Sequence, residues 1–288
     1  MQETVFTQFI LPGVLALVML GMGLGLNLSD FSRLVKMPRA VIVGLVGQLL
    51  ILPAFALCLA LLFQAPSEIA IGLMIIAACP GGTTSNLISH VAKANLALSV
   101  TLTAITTIIC VITTPLLIKY SIGFFEQQRS VDFSLLSTSL GLLVISIIPV
   151  IIGMAIRAKY SKSARRAEPF FRKLSTVFML LLIAIISYQE RDMLLVAFPD
   201  VFLLAMSLNI GATALGLVLA HLSKVSARDG VTLGIEIGTQ NATLAILIAV
   251  TFIQEPAFAI AAGVYGVTMY LGAFLLVMAR RSVLTAPE

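Results

Sequence analysis

The segment Ala78-Cys79-Pro80-Gly81-Gly82-Thr83-Thr84-Ser85-Asn86 places a helix-breaking sequence in the middle of an apolar stretch that runs from about residue 68 to 90. Proline removes a backbone hydrogen-bond donor, and two glycines weaken the local preference for helix. We therefore predict a membrane helix that unwinds near residues 80–82. Unwound backbone at membrane depth is tolerated only where protein groups or a watery cavity satisfy its polar atoms. The segment thus predicts both a fold class and the position of a site.

A second apolar stretch, from about residue 231 to 252, has the same character. It contains Gly234-Ile235-Glu236-Ile237-Gly238-Thr239-Gln240-Asn241-Ala242-Thr243, which is polar at its centre. Interrupted helices at matching places in two inverted halves are typical of secondary transporters, whose site lies at the interruptions. We therefore predict a transport function, with the site at two broken helices. The alternative is that proline and glycine merely kink two ordinary helices.

The composition is that of a membrane protein. The 288 residues are 59% hydrophobic and only 11% charged, with a mean hydropathy of +1.09, whereas a soluble domain is about a quarter charged. A span needs about 20 mostly apolar residues. This rule predicts an all-α polytopic membrane protein, a single transmembrane domain over residues 1–288, with nine spans near 8–26, 40–63, 68–90, 95–118, 134–157, 175–190, 199–222, 231–252 and 256–279.

The predicted spans divide into two repeats of opposite orientation. The first four spans form a repeat over residues 8–118, the last four form a repeat over residues 175–279, and the span 134–157 joins them. The first repeat begins on one side of the membrane and the second on the other. Each repeat then has its broken helix in third place, which is the arrangement expected of inverted repeats.

The distribution of Lys and Arg predicts the orientation. Of the 18 basic residues, only Lys119, Arg129 and Arg191 fall in loops on one side. Because basic residues accumulate in cytoplasmic loops, we predict an outer N-terminus and a cytoplasmic C-terminus in the cell (inner or plasma) membrane. The basic loop Arg157–Lys173 fits this topology, and its charges are also expected to contact lipid headgroups. Charges so placed do not predict nucleic-acid binding.

The motifs expected of an intramembrane enzyme are missing from the sequence. It has no His-Glu-x-x-His, no paired intramembrane aspartates and no thiol–imidazole pairing, since Cys58, Cys79 and Cys110 all lie in apolar stretches. We therefore predict no catalytic residue and no enzyme. A membrane sensor that does not transport is a further alternative.

Glu236 is the only acidic residue placed well inside a predicted span. A carboxylate at the bilayer centre costs at least ~2.5 kcal/mol, so it is expected to face a cavity or a cation. Gln240 lies one helical turn beyond it, as Thr103 does beyond Ser99. One charge among neutral oxygens suits a monovalent hard cation such as Na⁺. The oxygen-bearing side chains expected around it are Gln48, Ser85, Asn86, Ser99, Thr103 and Gln240.

The two half-helices that begin near Thr83 and Asn241 direct their N-terminal dipoles towards the middle of the protein. An anionic group is favoured at such a terminus, and Thr83, Thr84 and Asn241 can add hydrogen bonds. The residues therefore predict Na⁺-coupled transport of an organic anion. A proton-coupled carrier or an exporter of an anion, with Glu236 as the proton carrier, is the alternative.

The two interrupted helices resemble those of the bile acid:sodium symporter family. The match is close over Cys79–Asn86, continuing through Asn95–Val100, and over Ile235–Asn241, while Gly21–Phe31 resembles the family's early loop. In order and spacing the resemblance covers nearly the whole chain. It implies a core domain in which two broken helices cross, a panel domain, and transport by alternating access.

The resemblance also implies two Na⁺ sites. One would use Ser85, Asn86, Ser99, Thr103 and Glu236, and the other Gln48, Glu236 and Gln240 with the backbone carbonyls of Ile237 and Thr239. Thr83 and Asn241 match positions beside the substrate cavity. The implied partners are Na⁺, a small organic anion and the lipid bilayer, with no obligate protein partner.

The sequence departs from the family in two places that bear on the substrate and the topology. Thr268-Met269 stands where a polar His-Asn pair is expected in bile-acid-binding relatives, and we predict that Thr268 contacts the substrate at this position. Relatives also carry pantoate, pyruvate and other small anions, so such a carboxylate is at least as consistent with the sequence as a bile acid. The nine predicted spans resemble the animal arrangement rather than the ten of bacterial members.

Overall fold

The computed structural model describes residues 9–31, 37–126 and 133–280, and this part of the chain is almost entirely helical, without a β-strand. Several long helices contain a single π-turn, at Gly47–Ile51, Leu143–Ile147 and Ile248–Phe252. The helices are α1 (Leu11–Gly25), α2 (Leu28–Phe31), α3 (Pro38–Leu62), α4 (Ser67–Ala78), α5 (Thr83–Val91), α6 (Leu96–Phe125), α7 (Leu135–Lys159), α8 (Ser161–Gln189), α9 (Arg191–Leu222), α10 (Ala227–Gly238), α11 (Ala242–Phe252) and α12 (Pro256–Ala279).

Six of the described helices are long and apolar enough to cross a membrane: α3, α6, α7, α8, α9 and α12. They correspond to the second, fourth, fifth, sixth, seventh and ninth predicted spans. The first predicted span corresponds to the shorter apolar helix α1, and the third and eighth correspond to the pairs α4–α5 and α10–α11. The all-helical membrane architecture is therefore confirmed.

Both predicted interruptions are present. Cys79 ends α4 with extended backbone (φ −76°, ψ 154°), as expected before Pro80, because a residue that precedes proline is forced out of the α region. Gly82, also extended, precedes α5. In the second interruption Thr239 is extended after α10, and Asn241 caps the start of α11.

Close backbone contacts join α1 to α7 and α8. A Cβ atom on Gly23 would overlap the backbone of Val150, and one on Gly153 would overlap the backbone of α1 at Leu20. Glycine is needed at both positions because the two backbones are nearly in contact. In a second group of helices, α9 packs along α10 and α12, and α4 packs against α6. The two interruptions lie within this second group of helices.

The basic segment Arg157–Lys173 was predicted to be a loop, and this prediction is wrong. Apart from Tyr160, the segment is helical, because α7 continues to Lys159 and α8 begins at Ser161. Hydropathy alone ends a span where charges begin, whereas long Lys and Arg side chains allow a helix to continue into the interface. Four of the basic residues used to predict orientation lie outside the described residues, as do both chain termini: Arg33, Lys36, Arg129 and Arg281.

Candidate functional site

The two interruptions meet each other in the fold. The backbone N–H of Asn241 donates a hydrogen bond to the carbonyl of Pro80 (3.0 Å). Gly81 and Gln240 form an isolated antiparallel bridge beside it. Extended backbone from each break therefore satisfies polar groups of the other, as unwound backbone at membrane depth requires.

The side chain of Glu236 lies at this meeting point and is fully buried. Ser99 and Thr103, one turn apart on α6, both direct their hydroxyls at its carboxylate. The Ser99 hydroxyl donates to Oε1, and Thr103 Oγ1 lies 3.1 Å from Oε2. Gly81 stands so close that a Cβ atom there would lie 2.7 Å from Oε2 of Glu236. Three separate segments thus surround one carboxylate.

Oxygen atoms outnumber the hydrogens available to them in this cluster. Ser99 and Thr103 have one hydroxyl hydrogen each. Within reach of those hydrogens are both carboxylate oxygens of Glu236, Oδ1 of Asn86 at 2.8 Å from Ser99 Oγ, and the Ser99 carbonyl at 3.0 Å from Thr103 Oγ1. Even with the Ser85 hydroxyl as a third donor to Glu236, there are fewer hydrogens than acceptor sites on these oxygens. A cluster of oxygens around one negative charge fits a hard monovalent cation.

Ser85 belongs to the same cluster, because its hydroxyl lies within hydrogen-bonding reach of the Glu236 carboxylate. Its hydroxyl is buried and donates to the carbonyl of Gly82 (2.8 Å). The structure therefore brings the residues of the first predicted ligand set to one place: Ser85, Asn86, Ser99, Thr103 and Glu236.

The second predicted ligand set lies next to the first. Gln48 on α3 donates from Nε2 to Oε1 of Gln240 (3.1 Å), and Gln240 donates to the carbonyl of Ile237 (2.9 Å). Oε1 of Gln48 and the hydroxyl of Thr239 are buried without a hydrogen-bond partner. Buried acceptors of this kind are costly unless something binds them. These two atoms and the carbonyls near the end of α10 could hold a second cation.

The predicted substrate residues at the half-helix ends are also brought together. Thr83, Thr84 and Asn241 line a small cavity, of about 10 Å³, where the two interruptions face α1 and α8. The Asn241 side chain accepts from the N–H of Leu244 to cap α11 (3.1 Å).

Thr268 is not part of this group. Its hydroxyl donates to carbonyls of its own helix, at Val264 and Tyr265, and it lines an apolar cavity beside α8 and α9. The neighbouring Met269 lines the small cavity instead.

Sequence reasoning missed Asn209 on α9. Its buried amide donates to the carbonyl of Gly238 (2.8 Å), the last residue of α10, and accepts from the N–H of Gly272 on α12 (2.9 Å). The hydroxyl of Tyr265 donates to the same Gly238 carbonyl (2.8 Å). An asparagine in the middle of an apolar span was a signal of such a role, because polar side chains at that depth need a partner.

A larger cavity, of about 290 Å³, opens beside the small one. Helices α1, α5, α6, α7 and α8 line it, and Thr83 belongs to both cavities. In the described part of the chain, no group of three or more His, Cys, Asp and Glu side chains forms a site for a transition metal. The chemistry of the region is therefore that of oxygen ligands and helix termini.

Comparisons with known proteins agree with this chemistry. Residues 12–197 match the model of the sodium bile acid symporter family. An uncharacterised sodium-dependent transporter of Bacillus subtilis, YocS, is 32% identical over 267 residues, which cover 91% of this chain and 80% of the relative.

More distant relatives are eukaryotic. A probable sodium/metabolite cotransporter of Arabidopsis thaliana chloroplasts, BASS1, is 29% identical over 93% of this chain, which spans 66% of that relative's length. The human ileal sodium/bile acid cotransporter is 26% identical, over 88% of this chain and 72% of the relative.

These relatives are transporters, in agreement with the expectation that the chain is not an enzyme. Together with the long apolar helices, they identify a multi-pass membrane protein. The match covers most of the chain and includes the first interruption, the two hydroxyls of α6 and the helices α1 and α7. The chain belongs to the sodium bile acid symporter family.

Proposed function

We propose that the chain is a Na⁺-coupled symporter of an organic anion that works by alternating access. The observation that carries the proposal is the buried carboxylate of Glu236 in a cluster whose oxygens outnumber their hydrogens. Na⁺ bound among these oxygens would balance the charge and satisfy the acceptors. The names of the relatives, which are sodium-dependent or sodium-coupled transporters, support the same ion.

The proposal includes two Na⁺ sites that share Glu236. Ser85, Asn86, Ser99 and Thr103 complete the first, and Gln48, Gln240 and the carbonyls of Ile237 and Thr239 complete the second. The unpartnered oxygen of Gln48 and hydroxyl of Thr239 support the second site. Binding of two ions around one carboxylate would draw α3, α6 and the two broken helices together.

The proposed architecture is nine spans in inverted repeats over residues 8–118 and 175–279. The helices α1, α7 and α8 would form the panel, and the remaining spans, with the two broken helices crossing, would form the core. The close packing of α1 on α7 and α8 supports this division. The core would move against the panel. The protein would lie in the plasma membrane, with its N-terminus outside the cell and its C-terminus in the cytoplasm.

The proposed substrate is a small carboxylate, such as pantoate, bound at the half-helix ends by Thr83, Thr84 and Asn241. Two helix N-termini would favour its negative charge. The small cavity lined by these residues marks the position, but its volume of about 10 Å³ holds about one water, so binding requires the broken helices to separate from α1 and α8. The placement of Thr268 on a separate cavity does not support the role predicted for that residue.

Proton coupling is the second candidate, because Glu236 is a buried carboxylate with no basic partner among the described hydrogen bonds and ion pairs. A proton could neutralise it as Na⁺ would. The surplus of neutral oxygen ligands favours Na⁺, since a proton would occupy only one of them.

Transport by the purified protein in proteoliposomes tests the proposal. Labelled pantoate should accumulate with an inward Na⁺ gradient and not with K⁺. Glu236→Gln removes a charge-assisted ligand, worth about 3 kcal/mol, so Na⁺ activation should weaken about 100-fold. Asp192→Asn is the control, because the Asp192 side chain is exposed. Uptake that follows a pH gradient without Na⁺ would establish proton coupling instead.

A further inference from the structure

The larger cavity follows the whole length of the half-helix α5. Thr83, Asn86, Leu87 and His90 line it, and their spacing of three, four and seven residues places them on one face of the helix. The cavity therefore runs about 10 Å along α5. One end lies at the interruption and the other at the end of the half-helix.

Arginines line the wall opposite α5. Arg157 near the end of α7, together with Arg165 and Arg172 on α8, faces the cavity, accompanied by one carboxylate, Glu168. Glu168 is paired with Arg172 (3.3 Å). Within the described part of the chain, this leaves Arg157 and Arg165 without a carboxylate partner, so the wall carries an excess of positive charge.

The side chain of Arg157 is held in position. It donates from Nη1 to the carbonyl of Leu24 (3.1 Å), near the end of α1, and from Nε to Oδ1 of Asn27 (3.4 Å). Arg165 donates to the hydroxyl of Ser161 on its own helix (3.2 Å). Neutral oxygens fix these guanidinium groups but leave their charges uncompensated.

Topology alone does not explain which way these arginines point. The same helix carries Lys162, Arg166 and Lys173, which, like Arg165, are exposed but which do not line the cavity. A basic residue on any face of α8 would satisfy the preference for positive charge on the cytoplasmic side. Arg165 and Arg172 instead share the face with Glu168 that closes the cavity.

We infer that Arg157 and Arg165 form an anion-binding subsite at the mouth of this cavity, separate from the half-helix ends at Thr83 and Asn241. Its ligand is a small organic carboxylate, which the two guanidinium groups receive by charge-assisted hydrogen bonds. The physiological role of the subsite, as a station between the interruptions and the cytoplasm, rests on the proposed anion transport. Anion binding itself does not require transport.

A fluorescence experiment isolates the subsite, because the chain has no tryptophan. Phe171 lines the cavity, so Phe171→Trp gives a reporter at that position in the purified full-length protein. Quenching by iodide measures the local concentration of anions, and quenching by neutral acrylamide measures access alone. Leu96→Trp, on the facing helix α6, serves if the first reporter fails to fold.

Arg165→Gln in the reporter background should lower iodide quenching about two- to fivefold and leave acrylamide quenching unchanged. Pantoate should relieve iodide quenching in the parent reporter but not in Arg165→Gln. Arg166→Gln is the matched control, because it removes the same charge one residue away, on a side chain that does not line the cavity. Glu168→Gln should act in the opposite direction and raise iodide quenching.

Equal effects of Arg165→Gln and Arg166→Gln would overturn the subsite, as would iodide quenching that pantoate does not relieve. None of these measurements involves Na⁺ or flux. Failure of Na⁺-driven uptake with an intact pantoate effect would therefore count against the proposed function alone, and the reverse result would count against the subsite alone.

Discussion

The two interrupted helices reach the same geometry by different means. At the first, Pro80 and two glycines oppose helix formation by themselves, and Cys79 takes the extended backbone that a following proline imposes. At the second, the residues that leave the helix, Thr239 and Gln240, include neither glycine nor proline. The second break depends on partners from elsewhere in the fold.

Those partners are side chains that form hydrogen bonds at the end of α10. Asn209 and Tyr265 both donate to the carbonyl of Gly238, where α10 stops. The cap of α11 by the Asn241 side chain is, by contrast, local to the break. At the end of α4, the carbonyl of Ala78 accepts from the Thr114 hydroxyl (2.5 Å) and from the Cys110 thiol (3.5 Å), which is a weak donor. The comparison indicates that the first break is encoded locally and the second by tertiary contacts.

Gly81→Ala should have the largest effect and would break the comparison most directly. No glycine of the described part has a positive φ, so Gly81 is not required by its backbone conformation. It is required because a Cβ atom at this position would lie 2.7 Å from the Glu236 carboxylate. We expect at least a tenfold loss of Na⁺ affinity, seen as loss of the rise in melting temperature with added Na⁺.

Gly82→Ala is the matched control for that measurement. A Cβ atom there has 3.7 Å to its nearest neighbour, Asn241, so stabilisation by Na⁺ should persist. A Na⁺-dependent rise that is as large in Gly81→Ala as in Gly82→Ala would place the cation away from the Glu236 cluster.

A comparison of Asn209→Ala with Thr114→Val tests whether the second break depends on tertiary contacts more than the first break does. Asn209 makes hydrogen bonds to Gly238, Met269 and Gly272, whereas Thr114 makes one, to Ala78. At roughly 0.6 kcal/mol for each bond within a membrane protein, Asn209→Ala should lower the free energy of unfolding by about 2 kcal/mol. Thr114→Val should cost under about 1 kcal/mol. Unfolding in mixed micelles measures both, and equal losses would contradict a locally encoded first break.

The caps of the two half-helices give the smallest expected effect. Asn241→Ala removes the side chain that caps α11 and should cost about 1 kcal/mol, with Asn241→Ser restoring most of it. Gly82 precedes α5 without a side-chain cap and has the extended backbone of a cap residue. Gly82→Ser should therefore be neutral or stabilise by a few tenths of a kcal/mol. The same unfolding measurement applies, and a large loss in Gly82→Ser would show that the first break tolerates no side chain.

Much of the site could be predicted because each of its elements has a local signal. Pro80 with two glycines marks a break, and Glu236 in an apolar span demands a partner. Spacing of four residues placed Ser99 and Thr103 on one face of α6, and both hydroxyls do reach Glu236. Periodicity and burial cost are properties of a single segment, so one sequence is enough to see them.

Other features depend on which helices become neighbours, which periodicity does not reveal. Thr268 lies one residue from the cavity-lining Met269, and this difference of one position rotates it onto another face of α12. Arg165 and Arg166 are alike in sequence, yet only Arg165 faces the cavity. From the sequence, Arg157–Lys173 was predicted to be a basic loop, because hydropathy does not detect a helix that continues past the membrane boundary.

The cavity along α5 has an electrical consequence. It extends about 10 Å from His90 to Thr83, roughly a third of the ~30 Å hydrocarbon thickness. If the cavity is filled with electrolyte, the electrical potential at the interruptions would equal that of the solution on the arginine-lined side of the membrane. The transmembrane voltage, worth about 2.3 kcal/mol per charge at 100 mV, would then fall across the remaining two thirds. A cation that reaches Glu236 through the cavity would sense little of that field, whereas one arriving from the opposite face would cross most of it.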